Sequence, residues 1–91
     1  MTEKIDAQHI LVDHEYEAND ILKKLSEGEE FDQMAADFSK CPSGKSGGHL
    51  GSFGKGMMVK EFETAAFALK VGELSGPVKT QFGFHLIKRT A

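Results

Sequence analysis

The sequence predicts an α+β fold in which one antiparallel sheet is surrounded by helices. Three observations carry this. Strand-like segments stand at both ends of the chain, two amphipathic helical segments follow the first of them, and a glycine-rich stretch with a short extended segment leads into a third helix. Terminal strands paired at the centre of one sheet, with helices packed around them, is the simplest layered solution to that order. Ninety-one residues are enough for one domain with one modest core, spanning 1–91, and too few for two.

Residues 5–12, IDAQHILV, are apolar and partly β-branched and read as a strand. Its alternation sets Ala7, His9 and Leu11 on one face and Gln8, Ile10 and Val12 on the other. Asp13 is then suited to cap a helix through about Glu27, in which Ala18, Ile21, Leu22 and Leu25 follow helical spacing and Gly28 marks the stop. A second helix is expected from about Glu30 to Ser39, with Phe31, Met34, Ala35 and Phe38 along one side. The stretch CPSGKSGGHLGSFGKG holds six of the ten glycines in sixteen residues, so it predicts a loop with one short strand, Leu50 to Gly54. KEFETAAFALKVG reads as a third helix, with Phe62, Ala66 and Leu69 on one side and Gly72 ending it. SGPV starts a short extended piece in which Pro77 must sit near a strand end or edge. The closing FGFHLIKRT alternates, placing Phe84 and Leu86 on one face and His85 and Ile87 on the other.

Apolar residues make up 40% and charged residues 27%, an ordinary balance for a soluble globular protein. No apolar run approaches the roughly 18–20 residues of a membrane span. The start, MTEKIDAQHI, lacks the layout of a secretory signal. Cys41 is the sole cysteine, which makes a reducing compartment the simpler assumption. Together these predict a cytoplasmic protein. Net charge is −3 but divided: residues 1–40 carry four Lys against eleven Asp or Glu, and residues 41–91 carry seven Lys or Arg against three Glu. The basic half could touch anionic membranes peripherally, although scattered lysines more often serve solubility. One Arg in an acidic chain speaks against nucleic acid as a partner.

The residues that could carry chemistry are His9, Cys41, His85, the hydroxyls near them, and the pair Met58 and Phe62. His9 and His85 each lie within an apolar strand, where a buried imidazole must be hydrogen-bonded. On neighbouring strands they could bond to each other, either as satisfied core residues or as a functional pair. Cys41 near a histidine invites a thiolate nucleophile, yet cysteine is as often an inert core residue. Spacing does not decide between them. Met58 and Phe62, four residues apart, project to one side of a helix entrance and suit either core or an apolar binding surface. Met57 and Met58 cannot both point inward from one turn. A phosphate-binding loop is excluded because GKS at 44–46 needs glycine where Ser39 stands, and a dinucleotide loop fails at Val59. His and Cys spacings match no zinc motif, so no metal and no cofactor is expected.

Three blocks, AQHILV, FDQMAADFSKCPSGKSGGHLGSFGKGMM and FETAAFALKVGELSGPVKTQFGFHLIKRT, resemble in order and spacing the parvulins, the smallest class of peptidyl-prolyl cis/trans isomerases. The resemblance spans essentially the whole chain. It implies a four-stranded antiparallel sheet with about four helices, and a monomer that isomerises X-Pro bonds in proline-containing peptides and unfolded protein segments. By the same resemblance, His9 and His85 are the family's paired histidines, Cys41 a site that alternates with Asp, and Thr80 the hydroxyl that orients the second histidine. Leu50, Met58 and Phe62 would receive the proline ring, with Phe53 and Phe67 supporting the wall and Phe82 extending it. The Cys/Asp alternation argues against covalent catalysis.

Phospho-directed parvulins carry a basic cluster after the first strand. Here that stretch is VDHEYEANDI, whose Asp13, Glu15 and Glu17 would repel a phosphate and could favour Lys or Arg before proline. The alternatives are a non-catalytic binding module or holdase chaperone using the same apolar cleft, and a Cys/His hydrolase. The hydrolase would lack a recognisable oxyanion-hole motif.

Overall fold

The computed structural model describes residues 3–91. Strand β1 (Lys4–Val12) leads into helix α1 (Glu15–Ser26) and helix α2 (Phe31–Phe38). A short 3-10 helix (Pro42–Ser46) precedes strand β2 (His49–Gly54), helix α3 (Lys60–Ala68) and strands β3 (Val78–Thr80) and β4 (Gly83–Arg89). The strands form one antiparallel sheet in the order β2-β1-β4-β3, so the terminal strands are its centre, as the sequence predicts.

Each face of the sheet buries its own cluster. On one side Ile10, Val12 and Leu86 pack against Ala18 and Ile21 of α1 and Phe31, Met34 and Ala35 of α2. On the other, Ile5, Ala7, Phe53 and Ile87 pack against Phe62 and Ala66 of α3. Period-two alternation in β1 and β4 therefore serves two cores at once, which explains why buried apolar residues of the two clusters stand side by side in β4, Leu86 next to Ile87. Residues directly opposite in an antiparallel pair share a face. The register Leu11↔His85 and His9↔Ile87 thus sets both histidines on the α3 side, one step apart diagonally.

Four local expectations are corrected. His14, not Asp13, is the N-cap of α1, and its backbone N–H donates to the Glu17 carboxylate at 3.0 Å. Asp13 instead faces Lys40 at 3.6 Å. Helix α3 ends at Ala68 rather than at Gly72: Leu69 turns extended and its carbonyl accepts from the Arg89 guanidinium at 2.8 Å. Phe38, at the end of α2, stays exposed instead of joining the core. The glycine-rich stretch also contains the 3-10 turn, so among the described residues there are three α-helices and one short 3-10 segment.

Candidate active site

The site begins with what holds β1 in place. Beyond Asp6 the β1–β2 ladder shifts register, and the His9 N–H is taken by the Gly48 carbonyl at 2.9 Å. Buried Gln8 pins the same loop from the opposite face, donating to the Gly47 carbonyl at 2.8 Å and to Asp32 at 2.6 Å. The Ser39 hydroxyl accepts from the N–H groups of Leu11 and Cys41, at 3.1 and 3.3 Å. Lys40 N–H donates to the Leu11 carbonyl at 2.7 Å. Residues 39–48 are thereby laid along β1, and Cys41 comes to the side of the histidines.

The two imidazoles are nearly parallel, with interplanar angle 18° and centroids 5.3 Å apart. Their Nδ1 atoms lie 3.1 Å apart. His85 Nε2 meets Thr80 Oγ1 at 2.8 Å, and His9 Nε2 meets Ser43 Oγ at 3.2 Å. Ser43 Oγ in turn reaches Cys41 Sγ at 3.3 Å. Each neutral ring has one donor and one acceptor nitrogen, so the chain runs in a single sense. In one sense Thr80 O–H donates to His85, His85 Nδ1–H to His9, His9 Nε2–H to Ser43, and Ser43 O–H to Cys41. The reverse sense begins with a thiol, a weak donor, so the first is favoured. Among the described residues no buried side-chain N or O lacks a partner.

Burial holds both rings neutral. The His9 pKa falls from 6.5 to about 4, first through desolvation and then through repulsion from His85, and that of His85 is lowered by desolvation. Turnover of a prolyl peptide is expected to stay flat from pH 8 to 6 and to fall below about pH 5, as His9 charges. Stability moves in the same direction. The unfolded chain takes up a proton near pH 6.5, whereas folded His9 resists until about 4, so stability is lost as pH falls through that window. The loss is up to about 3 kcal/mol. Urea midpoints measured at pH 7.5 and 4.5 check it, and equal midpoints contradict it.

Phe62 stands edge-on to both rings, with centroids 5.5 Å from His9 and 5.2 Å from His85. Above the pair opens a cleft of about 400 Å³, walled by Leu50, Met57, Met58, Val59, Phe62 and Phe82, with Leu11 and Cys41 beside the histidines. Among the described residues no charged side chain lines it. Met58 lies just before α3, which starts at Lys60 with Val59 as its N-cap, yet it still converges with Phe62 on the cleft.

The structure therefore brings His9, Cys41, His85, Leu50, Met58, Phe62 and Phe82 to one cleft. Phe53 is not on it: this buried ring lies behind Phe62, with centroids 6.0 Å apart, and Phe67 packs behind Phe53 in turn. Thr80 does not line the cleft: it is buried and reaches it only through its contact with His85. None of Asp13, Glu15 or Glu17 is among the residues that line the cleft. Sequence reasoning missed Ser43, the bridge between Cys41 and His9, and also Leu11 and Val59. Ser43 has no periodicity to mark it. Leu11 could be read from its shared face with His9. Among the described residues no three His, Cys, Asp or Glu side chains converge as a metal site.

Comparison with known proteins gives the same assignment. The family model of the PPIC-type PPIase (rotamase) domain matches residues 6–91. The foldase protein PrsA of Geobacillus kaustophilus is 54% identical over 88 residues, covering 96% of this chain and 31% of that protein. The chain thus spans about a third of the length of the curated relatives it matches. The crystal structure of PrsA from Bacillus anthracis superposes with a TM-score of 0.96 at 46% identity, over 99% of this chain and 42% of that one. NmPin, the parvulin of Nitrosopumilus maritimus, superposes with a TM-score of 0.89 at 50% identity, over 100% and 99% of the two chains. On sequence and on fold, the chain belongs to the PPIC-type peptidyl-prolyl isomerases, the parvulins.

Proposed function

We propose that this chain accelerates cis/trans isomerisation of X-Pro bonds in flexible or unfolded protein segments, without covalent chemistry and without any need for phosphorylation. One observation carries the reading: two neutral, mutually hydrogen-bonded histidines form the floor of an apolar cleft that no charged side chain lines.

Prolyl isomerisation breaks no bond. Its barrier, near 18–20 kcal/mol, is mainly amide resonance lost as the C–N bond turns through perpendicular. An enzyme helps only by holding the twisted form better than either planar one. Leu50, Met58 and Phe62 offer the proline ring a dry seat. The twisted imide carbonyl is less polar than the planar one, so exclusion of water favours it. The hydrogen-bonded chain from Thr80 to Cys41 sets the shape and polarity of the floor. It spends its donors and acceptors on itself, and His9 is uncharged at neutral pH, so neither a general base nor a nucleophile is required. Cys41 is bonded to Ser43 rather than to an imidazole, which leaves it without the direct base that an activated thiol needs.

A phosphate before proline would need clustered Lys or Arg. The cleft offers none, and the nearby Lys40 is engaged with Asp13. The test is turnover of Leu-Pro, Glu-Pro and phosphoserine-Pro peptides by exchange NMR. The phosphorylated peptide is expected to be slowest, and its being fastest would sink this part of the reading.

A monomeric state, weak contact of the lysine-bearing half with anionic membranes, and a reducing, cytoplasmic setting belong to the same proposal. The last rests on the free thiol of Cys41. Sedimentation, co-sedimentation with anionic vesicles at low and high salt, and cell fractionation test the three in turn. A dimer, the absence of salt-sensitive binding, or recovery outside the cytoplasm would remove the corresponding part.

A further inference from the structure

A second opening lies on the other face of the sheet. Successive side chains of β1 point to opposite sides, so Leu11 stands in the wall of the histidine cleft while Val12 floors a groove of about 360 Å³ behind it. The groove follows α1 to the end of α2. Buried Val12 and Ile21 form its floor, and Tyr16 and Phe38 stand beside them, 66% and 42% exposed. Exposed apolar side chains scattered singly are ordinary; two aromatic rings over one apolar floor are not scattered. The Tyr16 ring is stacked on His14, with centroids 5.2 Å apart, which steadies it. Glu17 and Asp20 line the same groove, and among the described residues Lys24 is the single cation there. Neither carboxylate is in an ion pair among the described residues. Glu15 and Asp37, the chain neighbours of Tyr16 and Phe38, add to the negative sign.

We propose that this groove is a docking site, separate from the isomerase cleft, for a basic unfolded segment in which an aromatic or bulky apolar residue is flanked by Lys or Arg. Charge complementarity selects that occupant. Its apolar residue lies on Val12 and Ile21 between the two rings, whose faces also attract a neighbouring cation. Glu17 and Asp20 are three residues apart on α1 and project to one side, where they meet the flanking cations. The Glu17 carboxylate accepts the His14 backbone N–H at 3.0 Å, which fixes it at the groove and leaves lone pairs for a guanidinium or ammonium. An acidic segment meets four carboxylates against Lys24 alone and is repelled. The acidic stretch after β1 therefore serves this groove through Glu17, not the cleft. Groove and cleft share no residue, so one flexible chain passing round the end of β1 can occupy both. A segment held in the groove then raises the local concentration of its own prolyl bonds at the cleft.

The test titrates a proline-free peptide, acetyl-Gly-Lys-Phe-Lys-Leu-Lys-Gly-amide, into isotope-labelled protein, so its outcome does not depend on the isomerase reading. A groove at the small end of the range for binding sites predicts a Kd of roughly 0.1–1 mM. The amide resonances of Tyr16, Asp20 and Phe38 should shift, and raising salt from about 0.05 to about 0.5 M should weaken binding several-fold. Asp20→Lys and Phe38→Ser, both at exposed positions, should each weaken it by roughly fivefold or more with circular dichroism unchanged. Tyr16→Ser replaces either variant that fails to fold. The same peptide with Glu in place of each Lys should shift none of these resonances. Shifts confined to the cleft, equal binding of the Glu peptide, or folded variants that bind like wild type overturn the proposal. Shifts of Tyr16 and Phe38 with protein concentration alone would assign the groove to a second copy and overturn it as well.

Discussion

Met58→Ala is expected to lower kcat/KM for an unphosphorylated Leu-Pro peptide by roughly 10- to 100-fold while the fold survives. Met58 is half-buried, and its side chain helps to wall the seat for the ring. Truncating it opens the dry seat to water and removes contact that the twisted imide needs. Phe62 lines the same seat but also supports the core: it is 3% exposed and packs with Phe53 and Ala66. Phe62→Ala therefore costs about 3–5 kcal/mol of stability as well, a large part of the roughly 5–15 kcal/mol a domain has. Phe62→Leu is the cleaner companion and should lose activity with a smaller drop in Tm. Turnover by Met58→Ala within twofold of wild type would show that the ring sits elsewhere.

The second large effect lies in the backbone. Gly48 has φ +81°, its carbonyl accepts the His9 N–H, and its own N–H donates to the Ser43 carbonyl at 2.8 Å. A Cβ at this position would be driven into the His9 carbonyl oxygen, a backbone atom that cannot step aside. Gly48→Ala should cost about 2–5 kcal/mol, from left-handed strain and from overpacking together. At roughly 4–8 °C per kcal/mol for a domain of this size, Tm should fall by about 10 °C or more. Any folded remainder should show displaced His9 resonances. Gly51 is the control: its φ is +75°, but a Cβ there meets nothing within 4 Å, so Gly51→Ala should cost only about 1–2 kcal/mol. Equal Tm values for the two variants, by circular dichroism, would contradict the account.

These two variants also mark where the sequence is legible. β1 and β4 can be read because alternation along IDAQHILV and FGFHLIKRT reports directly which side chains share a face. The neighbouring histidines follow from that. The seat for the ring could not be separated from core packing by spacing: Met58 and Phe62 look alike on a helical wheel, yet one is half-buried at the cleft and the other is nearly sealed. Only the family resemblance points to the cleft, and Phe53, which it gives a supporting place, packs against Phe62 rather than lining the cleft itself. Ser43 stayed hidden for a different reason. Its role depends on how residues 39–48 are laid along β1 by Ser39, Gln8 and Gly48, contacts between residues 28 to 39 positions apart that leave no local pattern. The early end of α3 is likewise set by a distant partner, Arg89, whereas the N-cap at His14 rests on a local contact, its backbone N–H donating to the Glu17 carboxylate three residues on.

The central claim is that the cleft lowers a rotational barrier without making a bond, and Cys41→Ala tests it most directly. The thiol is the last acceptor in the hydrogen-bonded chain, and its loss leaves the Thr80–His85–His9–Ser43 portion in place. Exchange NMR of a Leu-Pro peptide should show cis/trans cross peaks with the variant at a rate within about tenfold of wild type, roughly 1.4 kcal/mol in barrier. If the folded Cys41→Ala protein leaves the peptide exchanging no faster than it does alone, while wild type accelerates it, Cys41 is a nucleophile and the non-covalent account is wrong.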